Sequence, residues 1–330
     1  MKGRIVLFGT PAFAELAFRG VLEAGICDVP FVVTQPDRPS GRGMELTPPP
    51  VKKMAEEFGI PVFQPESLKG ITFNQQLITT NTKNSALCEA LNSSAPIDLL
   101  VVVAYGRIIP KALLDFTKMG ALNIHGSLLP RWRGAAPIHR ALAAGDQETG
   151  VCLMGLEEGL DTGPVFSKSS TPLAASDNFQ TVHDRLALLG RELLLRDLPR
   201  ILSRELLPVP QSEEGITYAE KWEKPDLEIQ WAEPKETTLN RIRASTPFPG
   251  ARTTLNGELV KIFKASEGGQ VGQDLAPGTI YDLSGDRISV ALTRGESLSL
   301  EELQLQGRRR LSAGDIIRGR GIKIGDVFGQ

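Results

Sequence analysis

Residues Leu99 to Ala104 read Leu-Leu-Val-Val-Val-Ala, the longest apolar run in the chain. A membrane-crossing helix needs about 20 apolar residues, so this run is a buried strand and no membrane span is expected. Lys2 to Gly9, Phe31 to Thr34 and Pro61-Val62-Phe63 have the same strand-like character. Helix-compatible stretches at Phe13–Glu23 and Lys52–Phe58 separate them. Strands alternating with helices predict an α/β domain, a parallel sheet with helices on both faces. Ligands bind outside the carboxyl ends of such strands, so the loops after Phe8, Val33, Val103 and Ile124 are expected to face a site.

The pattern changes downstream. Val182 to Leu206 reads as a long amphipathic helix rich in Leu and Arg, and Pro208 and Pro210 then interrupt it. Glu213 to Glu236 is acidic and holds Trp222 and Trp231. Beyond Arg241, short strands at Val260–Ala265, Gly278–Asp282, Ile288–Leu292 and Ser297–Leu305 alternate with Gly, Asn and Asp turns, as in a small β-barrel. The expected organisation is a first domain over 1–207 and a second over 208–330, with 208–236 as linker. Asn74 to Ser94 is polar and rich in Asn, Thr and Ser. Its ends are expected to extend helices and its middle to form a surface loop.

The densest chemistry lies in Asn123-Ile-His125-Gly-Ser-Leu-Leu-Pro130. On a strand, positions 123 and 125 point to one side, so an amide donor and an imidazole project together. That pair suits acyl transfer: when an amine attacks a formyl carbon, the carbonyl oxygen gains negative charge, and each placed donor is worth about 3 kcal/mol. The imidazole can donate or carry a proton near neutrality. A satisfied core histidine is the competing reading. Asp161, in Gly159-Leu-Asp-Thr-Gly163, sits where a carboxylate can approach a ligand closely and accept the amine's proton; a plain turn residue is the alternative.

Gln35 to Gly43 is a proline-stiffened polar loop carrying Arg38 and Arg42, with Lys52 and Lys53 nearby and Glu45 close to them. Arginine forks suit phosphates, and a solvated loop is the bland alternative. Arg131-Trp132-Arg133 combines an aromatic with two cations, for an anionic ligand or nucleic acid, or to tie down its own loop.

Other chemistries are excluded. Gly9-Thr-Pro-Ala-Phe-Ala lacks the G-x-G-x-x-G fingerprint, so no dinucleotide is expected, and there is no phosphate-cradling lysine loop. No H-E-x-x-H or Cys/His cluster indicates a metal. Cys27, Cys88 and Cys152 are scattered, as in a reducing compartment. The opening Met-Lys-Gly-Arg-Ile-Val-Leu-Phe lacks a signal peptide's longer apolar region, so a cytoplasmic location is expected. A net charge of −2 makes no global case for a nucleic-acid binder. Residues 241–330 nevertheless carry 13 Lys/Arg against 10 Asp/Glu, with Arg308, Arg309, Arg310, Arg318, Arg320 and Lys323 foremost.

Asn123 to Ile138, with Leu160-Asp-Thr-Gly163 downstream, closely resembles the formyltransferases that use 10-formyltetrahydrofolate. Phe8-Gly-Thr-Pro11, Thr34-Gln-Pro-Asp-Arg-Pro39, Gly41-Arg-Gly43, Val102-Val-Ala-Tyr-Gly106 and Tyr218-Ala-Glu-Lys221 narrow the resemblance to the branch acting on initiator methionyl-tRNA. The resemblance implies a Rossmann-like formyltransferase domain followed by an OB-like tRNA-binding barrel. It implies catalytic roles for Asn123, His125 and Asp161. It implies folate contacts from Ser127, Leu128, Leu129 and Pro130, and a pterin pocket lined by the backbone of Arg107, Ile108 and Ile109. The loop around Arg42, with Arg38 and Lys52, would meet the acceptor end of the tRNA, and the enzyme would act as a monomer. Many relatives carry a Lys pair after Gly41-Arg-Gly43, where this chain has Met44-Glu45 and a less basic loop. Two alternatives remain: a related enzyme acting on a small amine, and a non-catalytic RNA-binding protein on this scaffold.

Overall fold

The computed structural model describes residues 2–40, 44–74, 76–272 and 274–330. They gather into two compact units. The first holds the chain up to Gly134, Gly150–Thr171 and His183–Tyr218; the second holds Ala135–Thr149, Pro172–Val182 and Ala219–Gln330.

A seven-stranded sheet organises the first unit, in the order Val165–Pro172, Glu148–Gly155, Ala121–His125, Leu99–Val103, Ile5–Gly9, Val32–Val33, Val62–Phe63. The last five run parallel, and Glu148–Gly155 lies antiparallel to Ala121–His125. Ile5–Gly9 and Leu99–Val103 are buried at every position, as strands covered on both faces must be. Register sorts the side chains. Val6, Phe8, Leu100, Val102 and Ala121 share one apolar cluster with Phe31, Leu87, Leu91 and Leu113. Leu122 and Ile124 take the opposite face, where Gly190 of the helix Phe179–Leu202 comes close: a Cβ there would lie 3.0 Å from Ile124. Gly9 serves a similar close approach. An added Cβ would sit 2.6 Å from Ala14 and Phe18 of the helix Ala12–Ala24.

Two local expectations are corrected. Part of the polar stretch after Asn74 joins the core, and Asn81 to Asn84 is left as the expected turn. Ile71–Asn74 and Leu77–Thr80 pair as a hairpin, and Ser85–Ser93 is a helix that buries Leu87, Cys88 and Leu91. Asn92 pins the two together, accepting from the Ile78 N–H at 2.9 Å and donating to the Ile78 carbonyl at 2.8 Å. Ile78, Leu87, Cys88 and Leu91 point inward while Leu77 stays exposed, and the Thr and Asn residues hide that pattern. The long helix also ends at Leu202, before the prolines. Arg204 takes a left-handed φ of 62°, and the N–H groups of Glu205 and Leu206 both return to the Arg200 carbonyl. Among the described residues, no helix is long and apolar enough to cross a membrane.

The second unit is built on a curled antiparallel sheet in the order Ala251–Leu255, Glu258–Glu267, Ser297–Leu305, Ile288–Ala291, Ile280–Asp282. The two edge strands do not pair with each other. The chain's last segment lies between them, bridging Leu255 to Phe328 and Thr279 to Val327. The Gly329 N–H donates to the Thr254 carbonyl and the Phe328 N–H to the Gly278 carbonyl, each at 2.9 Å. Phe328 stacks on Trp231 at 5.3 Å, and the Trp231 indole donates to Thr253 Oγ1 at 2.9 Å.

Phe328→Ala removes that stack and the plug between the edges. We expect a loss of about 3–5 kcal/mol in urea unfolding, with Trp231 fluorescence shifting to the red; an unchanged unfolding midpoint would rule this role out. Asp197 supplies a pH test. Its side chain is fully enclosed, and above all the hydrogen bond from Arg196 holds its carboxyl below the usual carboxylate range. A depressed folded pKa contributes stability above the unfolded value, and that stability is lost as pH falls through the folded value. Asp197→Asn should therefore cost about 1–3 kcal/mol at pH 7, and the gap from the native protein should narrow in acid. A gap that stays constant down to pH 3 would contradict this assignment.

Candidate active site

The Ala121–His125 strand continues the apolar face of the first sheet and then changes chemistry. After Ala121 the same-side positions are Asn123 and His125, opposite Met154 and Cys152 on the antiparallel neighbour. His125 is only 5% exposed. Its Nε2 lies 2.8 Å from the Trp132 carbonyl oxygen, which can only accept, so Nε2 carries the hydrogen. Nδ1 is then the nitrogen free for chemistry, and it faces Asp161 Oδ2 at 3.6 Å. That oxygen also accepts the Gly134 N–H at 2.7 Å. Oδ1 of Asp161 has no hydrogen bond among the described residues.

The loop from Gly126 to Arg133 is shaped by these same groups. Ser127 is fully buried, and its hydroxyl donates to the Arg131 carbonyl at 2.6 Å. Leu129 anchors the loop in a small cluster with Cys152, Met154 and Val165, and Lys168 donates to the Leu129 carbonyl at 3.0 Å. Burial in that cluster pushes the Cys152 thiol up to about 11, so it is an inert packing group. Trp132 has a left-handed φ of 64°, which aims its carbonyl at His125, and the Arg131 guanidinium lies 4.3 Å from its ring. Asp161 is left-handed too, with φ 51°. Gly163 beside it permits no side chain, since a Cβ would sit 1.9 Å from the Gly155 carbonyl oxygen.

The neighbouring loops converge as expected. Thr10 Oγ1 at 3.2 Å and Gln35 Nε2 at 2.8 Å both donate to the Tyr105 carbonyl. Ala104 and Gly106 flank it with φ of 44° and 78°. Tyr105 is buried edge-on to Phe8, and burial pushes its phenol up to about 12. Beyond it, Ile108 is 89% exposed, and the backbone of Arg107, Ile108 and Ile109 takes no hydrogen bond from other described residues. The Arg107 Nε is buried without a partner. Unpaired backbone groups and an unpaired donor fit an edge-on polar heterocycle.

The predicted cations separate. Lys52 is bound to Asp37 at 2.8 Å, and the Gln64 amide and Lys52 together hold the Asp37 carboxyl below its usual range. Arg38 is exposed on the hairpin Arg38–Ser40/Glu45–Thr47, touching Gln35 Oε1 at 3.3 Å. Met44 and Leu46 of that hairpin are 69% and 70% exposed. Arg42 lies outside the described residues. Arg133 is buried and serves structure, donating to Gln211 Oε1 at 3.1 and 2.9 Å. His139 stacks between Phe179 at 4.0 Å and Trp222 at 5.5 Å, a packing role. Gln211 and Thr217 were not visible as site residues in the sequence: they lie in a polar segment without a motif, and only the fold brings them to the Asn123 and Asp161 loops.

Comparison with known proteins agrees with this geometry. A formyl transferase family model matches residues 3–198, and a formyl transferase C-terminal domain model matches 221–321. The methionyl-tRNA formyltransferase of Aromatoleum aromaticum is 45% identical over 325 residues, 98% of this chain and 96% of that one. That of Acidovorax ebreus is 44% identical over 327 residues, 99% of each. Among solved structures, the sugar 3N-formyl transferase WlaRD aligns with a TM-score of 0.65 at 16% identity, over 94% of this chain and all of that one. HypX from Aquifex aeolicus, solved with tetrahydrofolic acid, aligns at 0.61 and 18% identity, over 98% of this chain and 49% of that one. These two likenesses speak for the fold. With an Asn–His–Asp cluster at the carboxyl edge of a parallel sheet, both family models matched in order and relatives near 45% identity along almost the whole length, the chain belongs to the methionyl-tRNA formyltransferase family.

Proposed function

We propose that the protein transfers the formyl group of 10-formyltetrahydrofolate to the amino group of methionyl-initiator-tRNA, giving N-formylmethionyl-tRNA and tetrahydrofolate. The observation that carries this reading is the placement of Asn123 and His125 on one face of a strand, with Asp161 3.6 Å from the free imidazole nitrogen. The folate supplies the formyl carbon. The amine attacks that carbon directly, and no covalent bond to the enzyme forms. Asn123 offers its amide N–H to the oxygen that gains negative charge, and His125 presents its free Nδ1 to carry a proton. Asp161 takes the proton that the amine releases and passes it to His125 Nδ1. His125 Nδ1 then delivers that proton to the departing nitrogen. The Trp132 carbonyl keeps the imidazole in the tautomer this requires.

Ser127, Leu128, Leu129 and Pro130 form the folate-side wall in this reading, and the unpaired backbone of Arg107, Ile108 and Ile109 holds the pterin edge. Arg38, Arg42 and Lys52 face the acceptor end of the tRNA, with Lys52 already largely neutralised by Asp37. The catalytic part covers 1–207. The part from 208 to 330, joined through 208–236, supplies an OB-like tRNA-binding surface. On that surface Arg310 is paired with Glu302, and Arg318 with Asp315 and Asp286. Of the cations foremost in the sequence, Arg308, Arg309, Arg320 and Lys323 are the ones left for phosphates. The protein acts as a cytoplasmic monomer.

The direct test supplies 10-formyltetrahydrofolate with initiator and elongator methionyl-tRNA side by side. Formylation of the initiator species at a rate at least tenfold above the elongator is expected. No transfer to tRNA, with clear transfer to a small amine, would overturn the assignment. His125→Ala and Asp161→Ala should each lower kcat by about 10²–10⁴-fold, the usual range for a general acid or base, with little change in melting temperature. Turnover within threefold of native in either variant would remove that residue from the mechanism.

A further inference from the structure

Gln211 lies between the stretches matched by the two family models, 3–198 and 221–321. Its side chain nevertheless reaches the loop that carries Asp161. The Gln211 amide nitrogen donates to the Asp161 carbonyl at 2.7 Å and to the Gly163 carbonyl at 2.8 Å. Its oxygen accepts from Arg133 Nε at 3.1 Å and from a terminal guanidinium nitrogen at 2.9 Å. Arg133 can only donate and the two carbonyls can only accept, so one amide orientation satisfies all four bonds. Each end of the amide thus grips a different loop: the one that receives His125 through the Trp132 carbonyl, and the one that presents Asp161.

Other residues of the same segment reinforce this grip. Val209 and Val165 exchange backbone hydrogen bonds at 2.8 and 2.9 Å. Thr217 takes the Trp132 N–H on its hydroxyl and the Arg133 N–H on its carbonyl, each at 2.9 Å. The gripped backbone is costly to hold. Trp132 and Asp161 are both non-glycine residues at positive φ, a conformation that persists only where its surroundings enforce it. The Asp161 carboxylate itself meets the other loop through the Gly134 N–H.

We propose that Gln211 is a positioning residue for the formyl-transfer site: its amide sets the separation of Asp161 from His125 Nδ1 by tying the Asp161–Gly163 turn to Arg133. The inference rests on the reaction proposed above. Two variants separate positioning from folding. Gln211→Ala removes all four bonds. Gln211→Glu keeps the pairing with Arg133 as an ion pair, so the segment stays docked. It loses both N–H donors and sets a carboxylate oxygen against two carbonyls.

Both variants should lose at least tenfold in kcat with KM for each substrate within threefold of native, and the pH profile of kcat should change shape. Gln211→Glu should keep a melting temperature within about 3 °C of native. The ring-nitrogen NMR signals of His125 give a readout independent of turnover. Their shift at fixed pH should differ from native in both variants, because Asp161 has moved relative to Nδ1. Native kcat in Gln211→Glu, or unchanged His125 signals in both variants, would overturn the proposal. A loss confined to Gln211→Ala that tracks its melting temperature would make Gln211 a stability residue only and would also overturn it. A native enzyme that fails to formylate any amine, with His125 signals still moved in the variants, would sink the reaction and leave the positioning role standing.

Discussion

Register along the Ala121–His125 strand decides where the amide and the imidazole of the candidate site can be. The strand is paired on one side with the parallel Leu99–Val103 and on the other with the antiparallel Glu148–Gly155, so it cannot slip without breaking both ladders. A one-residue slip would send Asn123 and His125 toward the long helix and bring Ile124 into the site. The apolar residues on either side of the sheet resist that exchange. Ile124 fits beside Gly190 on one face, while Val102 and Ala121 lie in the large cluster on the other. The Asn123/His125 pair is thus located by packing that is itself wholly apolar.

From that strand, order spreads outward through carbonyl groups. The Trp132 carbonyl fixes the imidazole tautomer, and the Tyr105 carbonyl gathers Thr10 and Gln35. Both carbonyls belong to turns with positive φ at or beside them, at Trp132, and at Ala104 and Gly106. At the non-glycine residues Trp132 and Ala104 such conformations cost about 1–3 kcal/mol each and are kept only by surrounding contacts. Buried Ser127 and Arg133 supply those contacts for one loop, and the polar segment from Val209 to Thr217 supplies them for that loop and for the Asp161 turn. The Asp161 turn and the loop to Arg133 are therefore held by polar groups that satisfy one another.

The second unit solves a different problem. Its curled sheet leaves two strand edges unpaired, and exposed edges invite pairing with other chains. The last residues of the chain fill the gap, satisfying backbone groups on both edges and placing Phe328 against Trp231. Many surface cations of this unit are held by carboxylates, so the modest basic excess of residues 241–330 is concentrated in a few side chains.

Much of this was legible in the residues. Buried strands at Ile5–Gly9 and Leu99–Val103 and the Asn123/His125 alternation follow from local periodicity, because a strand places alternate residues on one face whatever surrounds it. Other features were not. The stretch after Asn74 reads as polar because its outward Thr and Asn residues outnumber Ile78, Leu87 and Leu91, and only packing reveals which ones turn inward. The sequence by itself determined the chemistry on offer: an amide, an imidazole and a carboxylate, and a chain able to form a parallel sheet with a small β-structure after it. Tertiary structure alone decided that Nδ1 of His125 faces Asp161, that Lys52 is spent on Asp37, and that Gln211 grips both loops. Those outcomes depend on contacts between residues as far apart as 78 positions, and no local pattern encodes a contact made only when the whole fold has closed.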